Sequence, residues 1–459
     1  MLLLFFIILA ISCLIAFTSH KYALMAVLLV GFTQDPFRKL VAGEPTYFIV
    51  TVAVVFAVLA FKQLNQVGFS GISQPFVAWV DYLRRPLILF LVILIAQFVH
   101  SLLRWGNPVV SLLGLASYMA PFVAIIVGYY SINNLAEVRN FVKIYAIAGM
   151  FIALSVALSF LGFELTVFRE VGAGLKIYDQ GTILRSFSGF MRTGEIAAWH
   201  IATAACFLII LYSTSERKHS ILLVSIILLL FMLAIAFTGR RKMLMLISLF
   251  VTLYLFGTFY FRKTLSATKI SLGISFIIIA WLGTQFIFPV SYSVEVQNYL
   301  ARGSSVYGDA SNRFLELGLK PIQWAYNRVG LLGGGLGIGS QGASAFLVSN
   351  IAGGSGEGGL GKIMVELGLP GLLSIIWLMV AFARYMLRCL KLTTQAFAQP
   401  SLMFLGLGLA IFLLVNLMTF SVASQVYGDM FILIVLGLCS GFLFALPKLV
   451  INDMQYKTE

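Results

Sequence analysis

Long stretches without a charged residue are the feature that most restricts how this chain can fold. Two of them cover residues 221–238 and 401–426. A helix of about 20 residues crosses a hydrocarbon layer of roughly 30 Å, so each stretch can span a bilayer. Because lipid offers backbone groups no hydrogen-bond partners, such segments fold as helices, whereas a membrane barrel would show short segments of alternating hydrophobicity. The sequence predicts an all-α, polytopic transmembrane bundle.

Composition supports a single integral membrane domain over residues 1–459. Of these residues, 60% are hydrophobic and only 10% are charged. A soluble chain of this length cannot bury that much apolar surface in one core. We predict about 12 to 13 spans. They lie at approximately 2–17, 22–33, 46–62, 85–103, 110–130, 141–162, 194–213, 220–237, 243–261, 268–290, 359–383, 400–420 and 428–446.

Charge and cysteine content narrow the function classes. The chain has 31 lysines and arginines against 17 acidic residues, a formal net charge of +14. These basic residues are scattered among loops rather than gathered in one soluble domain, which argues against nucleic acid as a partner. Membrane lipids with anionic head groups and phosphate-bearing substrates are the expected partners. The four cysteines show no paired spacing, so we predict neither a metal site nor a disulfide framework.

Basic residues in short loops predict the orientation of the bundle. Those at 84–85, 217–218, 262–263 and 384–391 fall on one side if every later span crosses, and that side is expected to be cytoplasmic. The opposite, outer side then holds the two main extracytoplasmic loops. These are the long connections 163–193 and 291–358.

One short outer turn conflicts with this orientation. Arg240, Arg241 and Lys242 follow Thr238 and Gly239 between two spans with hardly any linker. Three cations in a short outer turn oppose insertion, so an anionic ligand is expected to compensate them. Arginine has a planar fork that suits bidentate phosphate oxygens, and it stays charged at any working pH. Two alternatives stay open: these side chains snorkel to lipid phosphates, or the topology is inverted.

A second candidate element ends the first long connection. Arg185 and Arg192 precede a span that opens with Glu195 and also contains His200. The two cations are predicted to add charge around the same anion, and Glu195 to orient it. Alternatively, Glu195 is simply favoured at a helix N-terminus. His200 is interpreted as a buried structural histidine rather than a proton shuttle.

The large connection supplies the remaining candidates. Arg313 lies in a predicted short helix, and the glycine-rich run 333–339 follows. This run is not a Walker loop, because no Gly-Lys-Ser/Thr closes it; its expected role is a close-packed turn, although its amides could also contact phosphate. Glu357 and Glu366 come next, and a carboxylate beside a basic site can accept a proton from a sugar hydroxyl. A salt bridge to a neighbouring arginine is the alternative for both.

Four of these features resemble motifs of the O-antigen ligase and polymerase family, the bacterial Wzy/WaaL-type glycan transferases. They occur in the family's order over roughly the second half of the chain. The turn 238–241 resembles the family's Thr-Gly-Ser-Arg turn, which places its functional arginine on Arg241. Residues 313–317 fit an Arg-x-x-x-Leu element, and the glycine-rich run resembles a Gly-x-Gly segment. The ligase pattern of His-Asn, nine residues and Gly-x-x-Gly aligns with residues 357–371.

This chain departs from the ligase pattern at one position. Glu357 stands where the ligases have histidine, and the connection 291–358 contains no histidine. The departure favours a polymerase or another exopolysaccharide transferase over a lipid A–core ligase.

The resemblance implies a metal-independent glycosyltransferase without a cofactor. Its substrate would be a polyprenyl-diphosphate-linked glycan at the outer face of the cytoplasmic (inner) membrane, with a chain-length regulator and a flippase as candidate partner proteins. Arg241 and Arg313 would stabilise the leaving diphosphate. Glu357 would orient or deprotonate the acceptor hydroxyl. The predicted substrate-binding residues are Arg185, Arg192, Glu195, Arg240, Lys242 and Glu366.

Two other functions stay open. A ligase that moves finished polymer onto a lipid or protein would use the same site with a different acceptor. A transporter or flippase of lipid-linked glycan would show paired repeats, broken helices and ionisable residues at mid-membrane. The sequence shows no internal repeat, and its charged residues lie mostly at span ends, which favours chemistry at the membrane surface.

Overall fold

Thirteen helices and one β-hairpin make up the described part of the chain. The computed structural model describes residues 1–72, 81–171, 176–179, 182–215, 220–262, 299, 314–340, 358–395 and 400–458. Within these ranges, nine helices are long and apolar enough to cross a membrane, and two further apolar helices are shorter. The predicted all-α, multi-pass membrane architecture is confirmed. The predicted span at 268–290 lies outside the described residues.

The helices follow the apolar stretches and extend several of them. Their bounds are α1 Leu2–Thr18, α2 Ala23–Leu40, α3 Thr51–Ile72, α4 Asp81–Trp105, α5 Pro108–Ser131, α6 Leu135–Phe160, α7 Gly194–Thr214, α8 Ile221–Phe237, α9 Arg241–Arg262, α10 Lys320–Val329, α11 Gly359–Gln395, α12 Pro400–Val422 and α13 Met430–Thr458. Side-chain caps begin four of them: Asn107, Asn134, Thr193 and Asp429 each accept a hydrogen bond from a backbone N–H of the first turn.

The most buried helices are α7, α12 and α13, whose spanning windows are 78%, 83% and 83% buried. Glycines allow close approach of α5 and α13. A Cβ on Gly128 would lie 2.6 Å from the Leu438 carbonyl oxygen, and one on Gly441 would lie 2.3 Å from the Ile125 carbonyl oxygen. Small residues at helix contacts are typical of membrane bundles, in which packing replaces the hydrophobic effect.

Helix α11 is broken inside the bundle at Gly368, whose φ of 68° interrupts the helical backbone. The residues 333–339, called the glycine loop below, pack against this break. Gly334 N–H donates to the Val365 carbonyl at 2.6 Å, and the whole loop is buried. Irregular backbone at membrane depth is tolerated where protein groups satisfy it. The glycine loop is therefore the close-packed turn that its sequence predicts, and a Cβ on Gly337 would lie only 2.0 Å from the Val110 carbonyl oxygen.

Eight helix ends meet at one end of the bundle, called the site face below. Helices α2, α6, α8 and α12 end there, and α7, α9, α11 and α13 begin there, as the contacts between their terminal residues show. The connection 163–193 lies over this face and contains an antiparallel hairpin of β1 Lys176–Asp179 and β2 Thr182–Arg185. The basic turn predicted from the sequence belongs to the same face.

Candidate functional site

The turn Thr238–Lys242, called the basic turn below, connects α8 to α9. Thr238 ends α8 by donating its hydroxyl to the Ile235 carbonyl at 2.6 Å. Gly239 then adopts a φ of 68°, a left-handed conformation that glycine reaches without steric cost. Arg241 begins α9 and is only 9% exposed, while Arg240 and Lys242 are half-buried. The turn is thus embedded in the bundle rather than extended into solvent.

The segment 186–194 packs against the basic turn. Ser186 donates its hydroxyl to the Thr238 carbonyl at 3.0 Å. Gly194, the first residue of α7, lies against both groups: a Cβ there would be 2.2 Å from Ser186 Oγ and 3.3 Å from the Thr238 oxygen. The structure therefore places the end of the connection 163–193 against the basic turn, two elements that the sequence analysis assigned to the same anion.

The end of α12 links the basic turn to the start of α11. Lys242 Nζ donates to the Val422 carbonyl at 3.0 Å. Gly358, the residue before α11, is packed so closely that a Cβ there would lie 3.0 Å from the Ser421 carbonyl oxygen and 1.8 Å from that of Leu317. The predicted catalytic residues Glu357 and Arg313 lie outside the described residues. The described residues Leu317 and Gly358 pack against each other, and Gly358 contacts the same end of α12 as Lys242.

Arg192 lies between two carboxylates that the sequence analysis did not identify. Its guanidinium forms ion pairs with Asp35 of α2, at 3.3 Å, and with Asp429 at the start of α13. Its backbone N–H also donates to Asp35. Burial lowers the pKa of Arg192, but the two carboxylates outweigh burial and raise it overall. Two buried anions therefore already pair with this cation, which bridges α2 and α13, and its predicted substrate contact stays a prediction.

Arg185 and Lys39 lie at the edge of the site face. The side chain of Arg185 is 64% exposed, lies 3.6 Å from Glu170 and stacks over Phe187 at 5.4 Å. Burial raises the pKa of Glu170, whereas Arg185 and Lys39 oppose this shift. Lys39 donates to the Gly189 carbonyl at 2.6 Å, which fixes the end of α2 to the segment 186–194. Arg185 remains accessible from outside, and its predicted substrate contact stays a prediction.

Glu195 lies at a helix N-terminus, which leaves its predicted substrate contact a prediction, and His200 is buried as the sequence indicated. Glu195 is half-buried in the first turn of α7, whose N-cap is Thr193. A carboxylate is favoured there by the helix dipole. His200 is 1% exposed and shares a 2.6 Å hydrogen bond with Tyr145. It is the buried structural histidine that the sequence indicated.

Glu366 lies beneath the glycine loop and not at the surface. It is 1% exposed, and its Oε2 accepts a hydrogen bond from the Tyr118 hydroxyl at 2.7 Å. Among the described residues its Oε1 has no hydrogen-bond partner, and this oxygen would lie 3.2 Å from a Cβ on Gly339. Within the described ranges no arginine forms a salt bridge with Glu366, whose side chain is buried, and its predicted substrate contact stays a prediction.

Sequence reasoning missed the carboxylates that hold the site together. Asp35 and Asp429 bind Arg192, although 157 and 237 residues separate them from it. A carboxylate that closely follows the apolar run 23–32 within one helix is the signal that could have identified Asp35. Asp429 could have been recognised as an N-cap, because it accepts the Ile432 N–H at 3.0 Å. Neither signal identifies the partner.

A search for metal-binding groups and comparisons with known proteins complete the description of the site. In the part of the chain that the structure describes, no group of three or more His, Cys, Asp or Glu residues is placed to hold a metal ion. Comparisons with protein-family models and with curated proteins find no match for this chain. The proposal for its function therefore depends on the sequence motifs and on the geometry of the site face.

Proposed function

We propose that this protein transfers or polymerises polyprenyl-diphosphate-linked oligosaccharide at the outer face of the cytoplasmic membrane. Such a reaction belongs to the synthesis of a surface polysaccharide. The donor carries a diphosphate at the membrane surface, where the basic turn offers charge of the opposite sign. The order of the four family-like motifs along the chain supports the same substrate class.

One observation carries the proposal: the basic turn coincides with the N-terminus of α9. A helix N-terminus carries about half a positive charge, so cations are unfavourable there. Yet Arg241 and Lys242 are the first two residues of α9, and Arg240 precedes them. The basic side chains and the helix dipole thus both contribute positive potential. They do so in a mostly buried place, where electrostatic interactions are stronger than in water. A bound diphosphate is the ligand that this arrangement suits best.

The chemistry follows from the charges. The acceptor hydroxyl oxygen forms a bond to the anomeric carbon of the donor, and the bond from that carbon to the diphosphate oxygen breaks. The electron pair leaves with the diphosphate, whose growing charge Arg241 stabilises together with Arg313. The hydroxyl proton passes to Glu357 as general base. Arg240 and Lys242 hold the diphosphate in position.

The test replaces Arg241 in purified protein reconstituted with polyprenyl-diphosphate-linked repeat units. Arg241→Ala is expected to lower the transfer rate roughly 10²–10³-fold, because one donor to the developing charge is lost. Arg241→Lys keeps the charge without the fork and is expected to retain intermediate activity. Arg388→Ala, an exposed arginine near the far end of α11, is the matched control and should leave the rate unchanged. Full polymer formation by a correctly inserted Arg241→Ala protein would remove the basis of the proposal.

A ligase acting on finished polymer would use the same site, and products separate the two reactions. In a strain lacking this protein, loss of a polymerase leaves single repeat units on the acceptor. Loss of a ligase leaves full-length polymer unattached. Either result retains diphosphate displacement at the basic turn.

One observation favours a transporter of lipid-linked glycan as a second candidate. Helix α11 is broken at Gly368, and the buried carboxylate Glu366 lies just before the break. Its partner Tyr118 is ten residues into α5, about 15 Å from the start of that helix. Broken helices with ionisable groups at this depth are typical of transporters. In a deletion strain, lipid-linked units trapped on the cytoplasmic side would favour this candidate, whereas units accumulating outside would reject it.

A further inference from the structure

Two consecutive leucines before the glycine loop are exposed at the edge of the bundle. Leu331 and Leu332 are 53% and 67% exposed, although the glycine loop that follows is entirely buried. The Leu331 carbonyl accepts the Leu369 N–H at 2.8 Å, which attaches this pair to α11 just after its break. An exposed apolar pair in such a position indicates a contact with an apolar environment.

The leucine pair joins a surface that already faces lipid. Beyond the break, α11 exposes apolar side chains at helical spacing, and α4 does the same along its length. The exposed residues of α11 are Leu369, Leu373, Ile376, Trp377 and Val380, and those of α4 are Ile88, Val92, Ile95, Val99 and Leu103. Because the Leu331 carbonyl accepts a hydrogen bond from the Leu369 N–H, the leucine pair continues the lipid-facing stripe of α11.

The depth of the leucine pair can be measured along α4. The exposed Arg85 and Arg104 are nineteen residues apart, about 28 Å at 1.5 Å per residue, which matches a hydrocarbon layer of roughly 30 Å. Gln97 is seven residues before Arg104 and therefore about 10 Å deeper. Its side-chain amide donates to the Leu332 carbonyl at 2.7 Å. The Arg104 guanidinium donates to the Gly333 carbonyl at 3.3 Å, so the backbone of Leu332 lies between the levels of Gln97 and Arg104, at the outer edge of the hydrocarbon layer.

The preceding helix α10 has the polarity of a helix at a membrane surface. Its buried side contains Pro321 and Ala325. At 100° per residue, the exposed Tyr326 lies on one flank, and the exposed Gln323 and Asn327 lie toward the other. A helix with one apolar and one polar exposed flank is suited to lie in the plane of the interface.

We propose that residues 319–332, called the interfacial segment below, rest on the membrane at the site face. Leu331 and Leu332 insert among the acyl chains of phospholipids, and α10 lies at head-group level with Asn327 toward water. The partner is the lipid bilayer itself. This inference does not depend on glycan transfer, because it follows from exposure, depth and continuity with the lipid-facing helices.

The test uses single cysteines that carry an environment-sensitive fluorophore, in protein reconstituted into lipid nanodiscs. The four native cysteines are first replaced by alanine or serine. Leu332→Cys is compared with Leu103→Cys, which faces lipid, and with Asn327→Cys as the matched aqueous control. We expect the label at 332 to emit like the label at 103 and to be quenched at least about twofold more by shallow doxyl lipids than the label at 327. Emission at 332 equal to that at 327, with equal quenching by iodide, would overturn the proposal.

A second measurement uses the unsubstituted chain. Nanodiscs containing a phospholipid with a photoreactive diazirine in its acyl chain are irradiated, and labelled peptides are identified by mass spectrometry. Adducts on Leu331 or Leu332, comparable with those on Leu103, support the proposal. Labelling of Leu103 without any adduct at the leucine pair refutes it, whatever the fluorophore reports.

Discussion

The bridge formed by Arg192 gives the sharpest prediction about stability. Arg192→Ala leaves Asp35 and Asp429, which are 1% and 4% exposed, without their cation. Removing one member of a buried ion pair costs about 3–5 kcal/mol, because the remaining charge is neither solvated nor paired. Both carboxylates also face each other's charge once the guanidinium is gone. We therefore expect a loss of at least about 3 kcal/mol in the free energy of unfolding.

The assay is thermal unfolding in detergent, followed by a thiol-reactive fluorophore. Cys206 and Cys439 are free and fully buried, so they react only when the bundle opens. The matched control is Glu316→Ala, which removes an exposed ion pair with Lys320 and should cost no more than about 1 kcal/mol. The unfolding midpoint of Arg192→Ala is expected to fall by several degrees, while that of the control stays within about a degree.

A neutral version of the bridge separates charge from packing. The triple variant Asp35→Asn, Arg192→Met, Asp429→Asn removes all three charges. The amide oxygens at positions 35 and 429 can still accept the backbone N–H groups of residues 192 and 432. Replacing a whole buried ion network is often close to neutral, so the loss should stay below about 2 kcal/mol. An Arg192→Ala protein as stable as the Glu316→Ala control would refute the reasoning. A triple variant less stable than Arg192→Ala would also refute it.

Two other predictions concern packing inside the bundle. Gly337→Ala should abolish correct folding, as judged by loss of a monodisperse peak on size exclusion, because its Cβ would lie 2.0 Å from a backbone carbonyl of α5. Gly330→Ala is the control: it has a similar φ of 73° but open space around it, so only backbone strain of about 1–3 kcal/mol is expected. Asn416→Leu should lower the unfolding midpoint by several degrees, since it orphans two buried donors, Trp199 Nε1 at 2.8 Å and the Tyr427 hydroxyl at 3.0 Å. An unchanged midpoint would show that water or rearrangement replaces the amide.

The sequence alone determined the helical membrane architecture and most element positions. Uncharged apolar runs leave the backbone no alternative to helix in lipid, and this constraint acts within each segment. The same holds for the start of α10, where Pro321 lies in the first turn, a position at which proline is favoured. It also holds for the glycine loop, since glycine is needed for close backbone approach wherever the loop packs. These features depend on a residue and its near neighbours in the chain.

Only the tertiary structure decided which charged groups belong together. Arg192 and the arginines of the basic turn look alike in sequence, but Arg192 lies between two carboxylates from distant helices, whereas Arg241 begins a helix at the site face. In the same way, the sequence analysis treated Glu366 as a carboxylate beside a basic site, whereas in the structure it is buried against Tyr118. Because lipid offers no hydrogen bonds, each apolar segment forms a helix independently of the others. The partner of a buried charge, by contrast, depends on how the helices pack. That arrangement is a property of the whole bundle, and no local pattern encodes it.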